Sequence, residues 1–377
     1  MIGKVEGIVD TLYNEYVQKY KAGGGKVVGY SCTFIPEEIL HAAGVLPFRL
    51  RGIGIKSLSI GDSYFGPVNC SFPKCMVQLA GQGSYSFLDG AVITNGCDSM
   101  RRLYECWRKA SEDHPGTLPP YFEYFSVPHK SVDYSIDFYE GELRNFIHSL
   151  EKHFEVEIQH KNIKEAVKLY NEGRMLLQKL DAVRYSEHTP ISGEDAMAVL
   201  IAGHAMPRKQ FNSILKKLIT GLDQAQNVSD GKKRLLLVGS ASDDLDFIRV
   251  IEEAGAVVVA ETVCFGSRSY ATLVDETGDP VRALASHYLK SSVCPRKLGY
   301  YKERRSYILD IVKKARIDGV VLQNIRFCDL HGSENGVLER DMEAAGIPCM
   351  RLEREYGPLV ETGRIRMRID AFIERIS

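Results

Sequence analysis

The stretch LDGAVITNGCDSMRRLYECW, residues 88–107, decides the fold. Its first half carries AVIT, a short apolar run of the kind that forms a strand buried on both faces. Its second half sets Met100, Leu103, Tyr104 and Trp107 on one stripe at helical spacing, with charged residues between them. A buried strand that runs into an amphipathic helix is half of a βαβ unit, and the same alternation recurs along the chain. KVVGY, LPFRLRG and YFEYFSVP read as companion strands, with PEEILHAAG as a second helix. Later, RLLLVGS, AVVVAET, GVVLQNI and IPCMRLE alternate with the helical stretches DDLDFIRVIEEAG, RRSYILDIVKKARI and VLERDMEAAG. Between these regions the pattern is helical throughout. There Ser192, with Asp195 behind it, predicts an N-cap, and Pro207 opens the next helix. The polar segment QNVSDGKKR at 226–234 predicts a linker. The expected architecture is α/β, with two doubly wound (flavodoxin- or Rossmann-like) lobes holding parallel sheets. The N-terminal lobe spans 1–135, a helical connector 136–228 and the C-terminal lobe 229–377.

Composition narrows the function. A chain of 377 residues with 44% hydrophobic content can bury real cores. Its formal net charge is −1 and its Lys and Arg residues are dispersed, so no basic tract invites nucleic acid or an anionic membrane surface. The start, MIGKVEGIVDTLYNEYVQKYKAGGGK, interleaves charge with apolar residues, and no run approaches the roughly 18 apolar residues of a membrane span. The expectation is a soluble, cytoplasmic protein. Nucleotide signals are poor. GGGK at 23–26 lacks the following Ser or Thr of a P-loop, and VGSASDD lacks the GxGxxG order, so ATP and NAD would belong to partners.

Nine cysteines in a long chain of this kind are an odd number and argue against a disulfide framework. CxxC is absent and the ten histidines do not fall near the cysteines at zinc-finger spacing, so any metal must be gathered from distant segments. Doubly wound lobes bind ligands at the carboxyl ends of their strands, where Cys97, Cys264 and Cys328 fall. Buried structural thiols are common at such places, but a helix start at Cys97 would favour the thiolate that binds metal. Cys97 and Cys106 are two and a half helical turns apart, on opposite faces and more than about 10 Å along the axis. Cys106 therefore reads as a core side chain beside the apolar stripe.

Several motifs carry a resemblance. YSCTFIPEEILHAAGVLPFRLRG (30–52), PVNCSFPKC (67–75), LDGAVITNGCDSMRRLYECW, AETVCFGSR (260–268), DGVVLQNIRFCDLHGSENGVLERDMEAAGIPCMRLEREYG (318–357) and the tail RIDAFIERI resemble the 2-hydroxyacyl-CoA dehydratase and benzoyl-CoA reductase family. The likeness covers nearly the whole chain, is most specific in the spaced CD.MRRLY and FCD motifs, and is weakest in the helical middle. It implies an oxygen-sensitive, D-component-like subunit in which Cys70, Cys97 and Cys328 hold a [4Fe-4S] cluster, leaving one iron open. It also implies an ATP-hydrolysing iron-sulfur activator that delivers one low-potential electron. The cluster relays that electron to an acyl-CoA thioester, and a substrate radical loses water. The implied assembly is a heterodimer with a homologous subunit, or a homodimer, in which one chain can act only as a relay. Reductase members send the electron into an aromatic ring, and a double-cubane [8Fe-9S] branch would need more ligands, for which Cys75, Cys106 and Cys294 are candidates. Without that branch, Cys75 and Cys294 are non-ligand thiols near the site, Cys264 lines it, and Cys32 and Cys349 belong to the core.

Polar residues near the first strand complete the candidates. Ser31 and Thr33 sit at a strand end where hydroxyls can bond a thioester oxygen, and Glu38 and His41 are candidates for proton transfer. Glu37 and Glu38 also suit the first turn of a helix, where the dipole favours carboxylates, and His41 suits a hydrogen-bonded half-buried position. Arg101 and Arg102 could meet coenzyme A phosphates or form a solvated helix face.

Overall fold

Two four-stranded parallel sheets frame the molecule in the computed structural model, which describes residues 3–291, 293–357 and 361–377. The first region runs α1 (Gly3–Val9), α2 (Glu15–Ala22), β1 (Lys26–Tyr30), α3 (Glu37–Ala42), β2 (Val45–Arg49), α4 (Ser59–Tyr64), α5 (Ser71–Gly81), β3 (Gly90–Thr94), α6 (Asp98–Asp113) and β4 (Tyr121–Phe125). Four helices follow: α7 (Asp133–Phe154), α8 (His160–Tyr185), α9 (Gly193–Gly203) and α10 (Arg208–Leu222). The second region runs β5 (Lys233–Gly239), α11 (Leu245–Glu253), β6 (Ala256–Thr262), α12 (Pro280–Ser291), α13 (Tyr301–Lys314), β7 (Gly319–Ile325), α14 (Asp329–Ala344), β8 (Cys349–Arg354) and α15 (Thr362–Arg375).

The sheets share one topology, β2-β1-β3-β4 and β6-β5-β7-β8, every pairing being parallel. Every residue of β2, β3, β6 and β7 is buried, the mark of strands covered by helices on both faces. The predicted α/β class and doubly wound parallel sheets are thus present. Ser192 caps α9 by accepting from the Asp195 amide at 3.0 Å, as its spacing predicts. The middle helices pack into both regions: α8 lies against α3 and β6, α9 against α1, β6 and α11, and α7 against β4 and α12.

The two sheets end alike. Ser31, just after β1, accepts from the Thr94 amide at 3.2 Å, and Ser240, just after β5, accepts from the Ile325 amide at 2.9 Å. Three residues past each of those amides stands a cysteine, Cys97 or Cys328, at the N-cap of α6 or α14. The outer edge of the second sheet is closed by α15. Arg364, Arg368 and Arg375 donate to the β8 carbonyls of Glu353, Arg351 and Cys349 at 3.3, 2.6 and 2.6 Å.

Candidate functional site

Strand order fixes where the chemistry gathers, because crevices open where neighbouring crossovers leave in opposite directions, between β1 and β3 and between β5 and β7. Cys97 and Cys328 stand at those two places, and Cys70 is the N-cap of α5. No predicted strand precedes Cys70; a helix start presents it instead. All three cysteines thus sit at the positive end of a helix, where negative charge is favoured. Asn69 reaches Ser99 in the first turn of α6 at 3.4 Å, drawing the Cys70 turn to Cys97. Ser71 donates to Glu355 at 2.7 Å and accepts from the Tyr356 amide at 2.8 Å, drawing the same turn to the second sheet.

The thiols sense one another. Burial, then the charges of Cys70, Cys328 and Cys32, hold the Cys97 thiol well above its ordinary range. Burial pushes Cys70 up to about 11, and burial with the Cys70, Cys264 and Cys294 charges pushes Cys328 up to about 12. Such thiols stay protonated unless something cationic claims them. Among the described residues, no group of three or more His, Cys, Asp or Glu side chains is arranged to hold a metal ion.

The other cysteines divide. Cys106 donates to the Tyr64 carbonyl at 3.2 Å and Cys75 to the Tyr356 carbonyl at 3.7 Å. Cys349 is buried in the second core. Cys32 packs, partly buried, against the core of the first sheet's helices as expected, and it also lies beside the Cys97 turn, where a β-carbon on Gly96 would come within 3.0 Å of its sulfur.

The polar candidates have defined partners. Ser31 is buried and its hydroxyl serves the β1–β3 junction already described. Thr33 lies on the seam between the sheets, donating to the Cys264 carbonyl at 3.1 Å and accepting from Arg49 at 3.3 Å. Glu38 is fully buried, paired with Arg174 of α8 at 2.5 Å and accepting from Tyr288 of α12 at 2.7 Å. His41 is half-buried, edge-on to Tyr170 at 5.7 Å, with burial and then Arg208 lowering its pKa. Glu37 accepts from Tyr30 and pairs with Arg208 at 2.7 Å and His204 at 3.2 Å. Burial pushes its carboxyl up, but Arg208, His204 and Tyr30 outweigh that and hold it well below the usual range. Arg101 and Arg102 both pair with Asp98 at 3.1 and 2.8 Å on the exposed face of α6.

Sequence reading passed over the arginines. Nine are buried among the described residues: Arg49, Arg51, Arg174, Arg184, Arg208, Arg268, Arg296, Arg304 and Arg354. Six of them pair with a carboxylate. Arg49, Arg268 and Arg296 form no ion pair among the described residues, and Arg49 donates to Thr33, which bonds the Cys264 carbonyl. Arg268 reaches the Cys264 sulfur at 3.7 Å. Arg296 grips the turn before Cys97 through the Asn95 carbonyl at 3.0 Å and side chain at 3.2 Å, and also bonds the Pro128 and Val127 carbonyls.

With this geometry in hand, comparison with known proteins is decisive. The family described as 2-hydroxyglutaryl-CoA dehydratase, D-component, matches residues 32–376. The chain belongs to this family. It is 24% identical to the (R)-phenyllactyl-CoA dehydratase beta subunit of Clostridium sporogenes, with 96% of this chain and 95% of that one covered. It is 27% identical to a benzoyl-CoA reductase subunit of Thauera aromatica, with 91% and 88% covered. It is 22% identical to the (R)-2-hydroxyglutaryl-CoA dehydratase subunit beta of Acidaminococcus fermentans, with 95% and 94% covered. The chain is therefore an enzyme-associated member of a family whose named relatives are subunits of dehydratases and a reductase. No helix among the described residues is long and apolar enough to cross a membrane.

Proposed function

We propose that this chain is the [4Fe-4S] subunit of a radical 2-hydroxyacyl-CoA dehydratase, with Cys70, Cys97 and Cys328 as the protein's three ligands. One observation carries the reading: three thiols from distant segments each start a helix, and Cys97 senses both of the others. The donor set fits the group. Thiolates are the usual ligands of such clusters, and a polynuclear core spreads its ligands wider than a single ion does. Three thiolates also leave one iron for an exogenous ligand. When bound, the cluster would supply a single low-potential electron to the thioester of a 2-hydroxyacyl-CoA, which makes the otherwise unreactive β-hydrogen removable. The chain's own part is positional. Three helix starts favour negative charge, Arg296 fixes the Cys97 turn, and Thr33 bonds the Cys264 carbonyl, tying the turn after β1 to the turn after β6. The electron would arrive from an ATP-hydrolysing iron-sulfur activator, and a homologous subunit would complete the enzyme in the cytoplasm.

The engaged thiols of Cys75 and Cys106 favour one cubane over the [8Fe-9S] alternative, because each already donates to a backbone carbonyl. A benzoyl-CoA reductase-type role is the second reading, motivated by the identity to the Thauera aromatica protein. Anaerobic purification with iron and acid-labile sulfide analysis tests the proposal: about four of each per chain are expected. Chains with no iron, or with stoichiometric zinc, would refute it. Turnover of 2-hydroxyacyl-CoA rather than benzoyl-CoA, given activator, partner subunit and reductant, separates the two readings.

A further inference from the structure

A buried guanidinium is expensive to desolvate and is ordinarily offset by a carboxylate, as it is for Arg51, Arg174, Arg184, Arg208, Arg304 and Arg354. Arg49, Arg268 and Arg296 depart from that rule while being 2%, 8% and 1% exposed. Their partners are neutral. Arg49 donates to Thr33 at 3.3 Å, lies over the rings of Tyr30 and Phe265 at 5.3 and 5.0 Å, and leaves its Nε without a hydrogen-bond partner. Arg268 donates to the carbonyls of Gly239 and Thr262 at 2.9 and 2.8 Å and stands 3.4 Å from the His331 Nε2. Arg296 spends its donors on carbonyls and on Asn95, with its guanidinium over Phe34 at 5.1 Å. Arg268 touches the Cys264 sulfur, Arg296 holds the turn before Cys97, and Arg49 reaches Thr33, whose hydroxyl bonds the Cys264 carbonyl, so three buried positive charges without carboxylate partners among the described residues stand beside the cysteine-bearing turns. Packing alone does not call for this, since neutral side chains would fill the same space without the desolvation cost.

We propose that Arg49, Arg268 and Arg296 are positioning residues whose charge balances the anionic thiolate-held group in the crevice and raises its reduction potential. The inference rests on the iron-sulfur reading above and goes beyond it by assigning the residues that set the potential. A positive charge in a low-dielectric surround favours the more negative, reduced state, so each neutralisation makes reduction harder.

The test is an EPR-monitored redox titration of the anaerobically purified full-length chain with dithionite, alongside iron content and far-UV circular dichroism. Arg49→Gln and Arg268→Gln are each expected to shift the oxidised-to-reduced equilibrium at least tenfold toward oxidised, about 59 mV for a one-electron couple. Arg49→Lys and Arg268→Lys, which keep the charge, are expected to restore most of that shift, and Arg108→Gln on the exposed face of α6 to leave the potential unchanged. Wild-type chain without iron would remove the underlying reading. Iron-loaded, folded Gln variants with the wild-type potential would overturn this inference alone, as would Lys and Gln variants that shift equally. If one site's variants do not fold, the other site's pair decides.

Discussion

Cys97 and Cys106 show how one helix gives two thiols different fates. Cys97 ends an extended segment and caps α6, whereas Cys106 lies further along the helix and donates to Tyr64. On the proposed iron-sulfur role, Cys97→Ser is expected to strip the chain of iron. Cys106→Ser is expected to keep it and to cost under about 1 kcal/mol, because a serine hydroxyl can donate to the same carbonyl. Iron analysis and urea midpoints check both; loss of iron in the Cys106 variant alone would invert the ligand assignment. The Glu37 site gives a pH prediction. Burial, acting against the help of Glu37, lowers the His204 pKa from 6.5, so its neutral form stabilises the fold above that pH and the stabilisation erodes below it. Glu37 itself is held below its ordinary 4.5, so its contribution is complete above pH 4.5 and is lost as pH falls through its folded value. Acid loss should begin below pH 6.5 and steepen below pH 4.5. The stability gap between wild type and Glu37→Gln, measured by urea unfolding, should be steady above pH 6.5 and shrink below pH 4.5. A gap that stays constant into acid would show that the carboxylate charge is not what Arg208 and His204 bind.

At the scale of elements, strands were the most legible part of the sequence, because β-branched runs between turn residues leave few alternatives. KVVGY, RLLLVGS, AVVVAET and GVVLQNI all coincide with β-strands to within a residue or two. Several helices have no counterpart in the sequence reading, among them α5, which is buried on nearly every face and so shows no stripe, and α12, although Val281, Leu284, Ala285, Tyr288 and Leu289 fall at helical spacing. No element was assigned to SFPKC from sequence, yet Pro73 lies in the first turn of α5, where a proline removes no intrahelical bond. That miss hid why Cys70 is placed as it is. The buried arginines were illegible for another reason: most of their carboxylate partners lie far away in sequence, so no local pattern marks them. Glu38 illustrates this, joined to Arg174 and Tyr288 at separations of 136 and 250 residues. The ion pair pins α3 to α8. Arg174→Ala should therefore cost about 3–5 kcal/mol by leaving Glu38 buried and unpaired, while Glu38→Leu with Arg174→Met together should cost less than that single change. Chemical denaturation decides, and an Arg174→Ala cost below about 1 kcal/mol would mean the pair does not hold the helices.

Across the whole molecule the two sheets repeat one plan that the sequence conceals, because few residues are shared beyond Cys-Asp at 97–98 and 328–329. What persists is a hydroxyl at the end of the first strand that accepts from an amide of the adjacent strand, three residues before the cysteine. Removing either hydroxyl strands a buried amide, so Ser31→Ala and Ser240→Ala should each cost about 1–3 kcal/mol, and by similar amounts. Thermal or urea unfolding would expose a false equivalence if only one of them mattered. The row of arginines on α15 has a consequence of another kind. The carbonyls of Cys349, Arg351 and Glu353, which an incoming strand would need, are already taken by guanidinium groups. This border of the protein cannot be extended by an added strand. A neighbouring subunit that meets the chain there must do so through side chains, because edge-to-edge pairing through β8 finds its carbonyls already occupied.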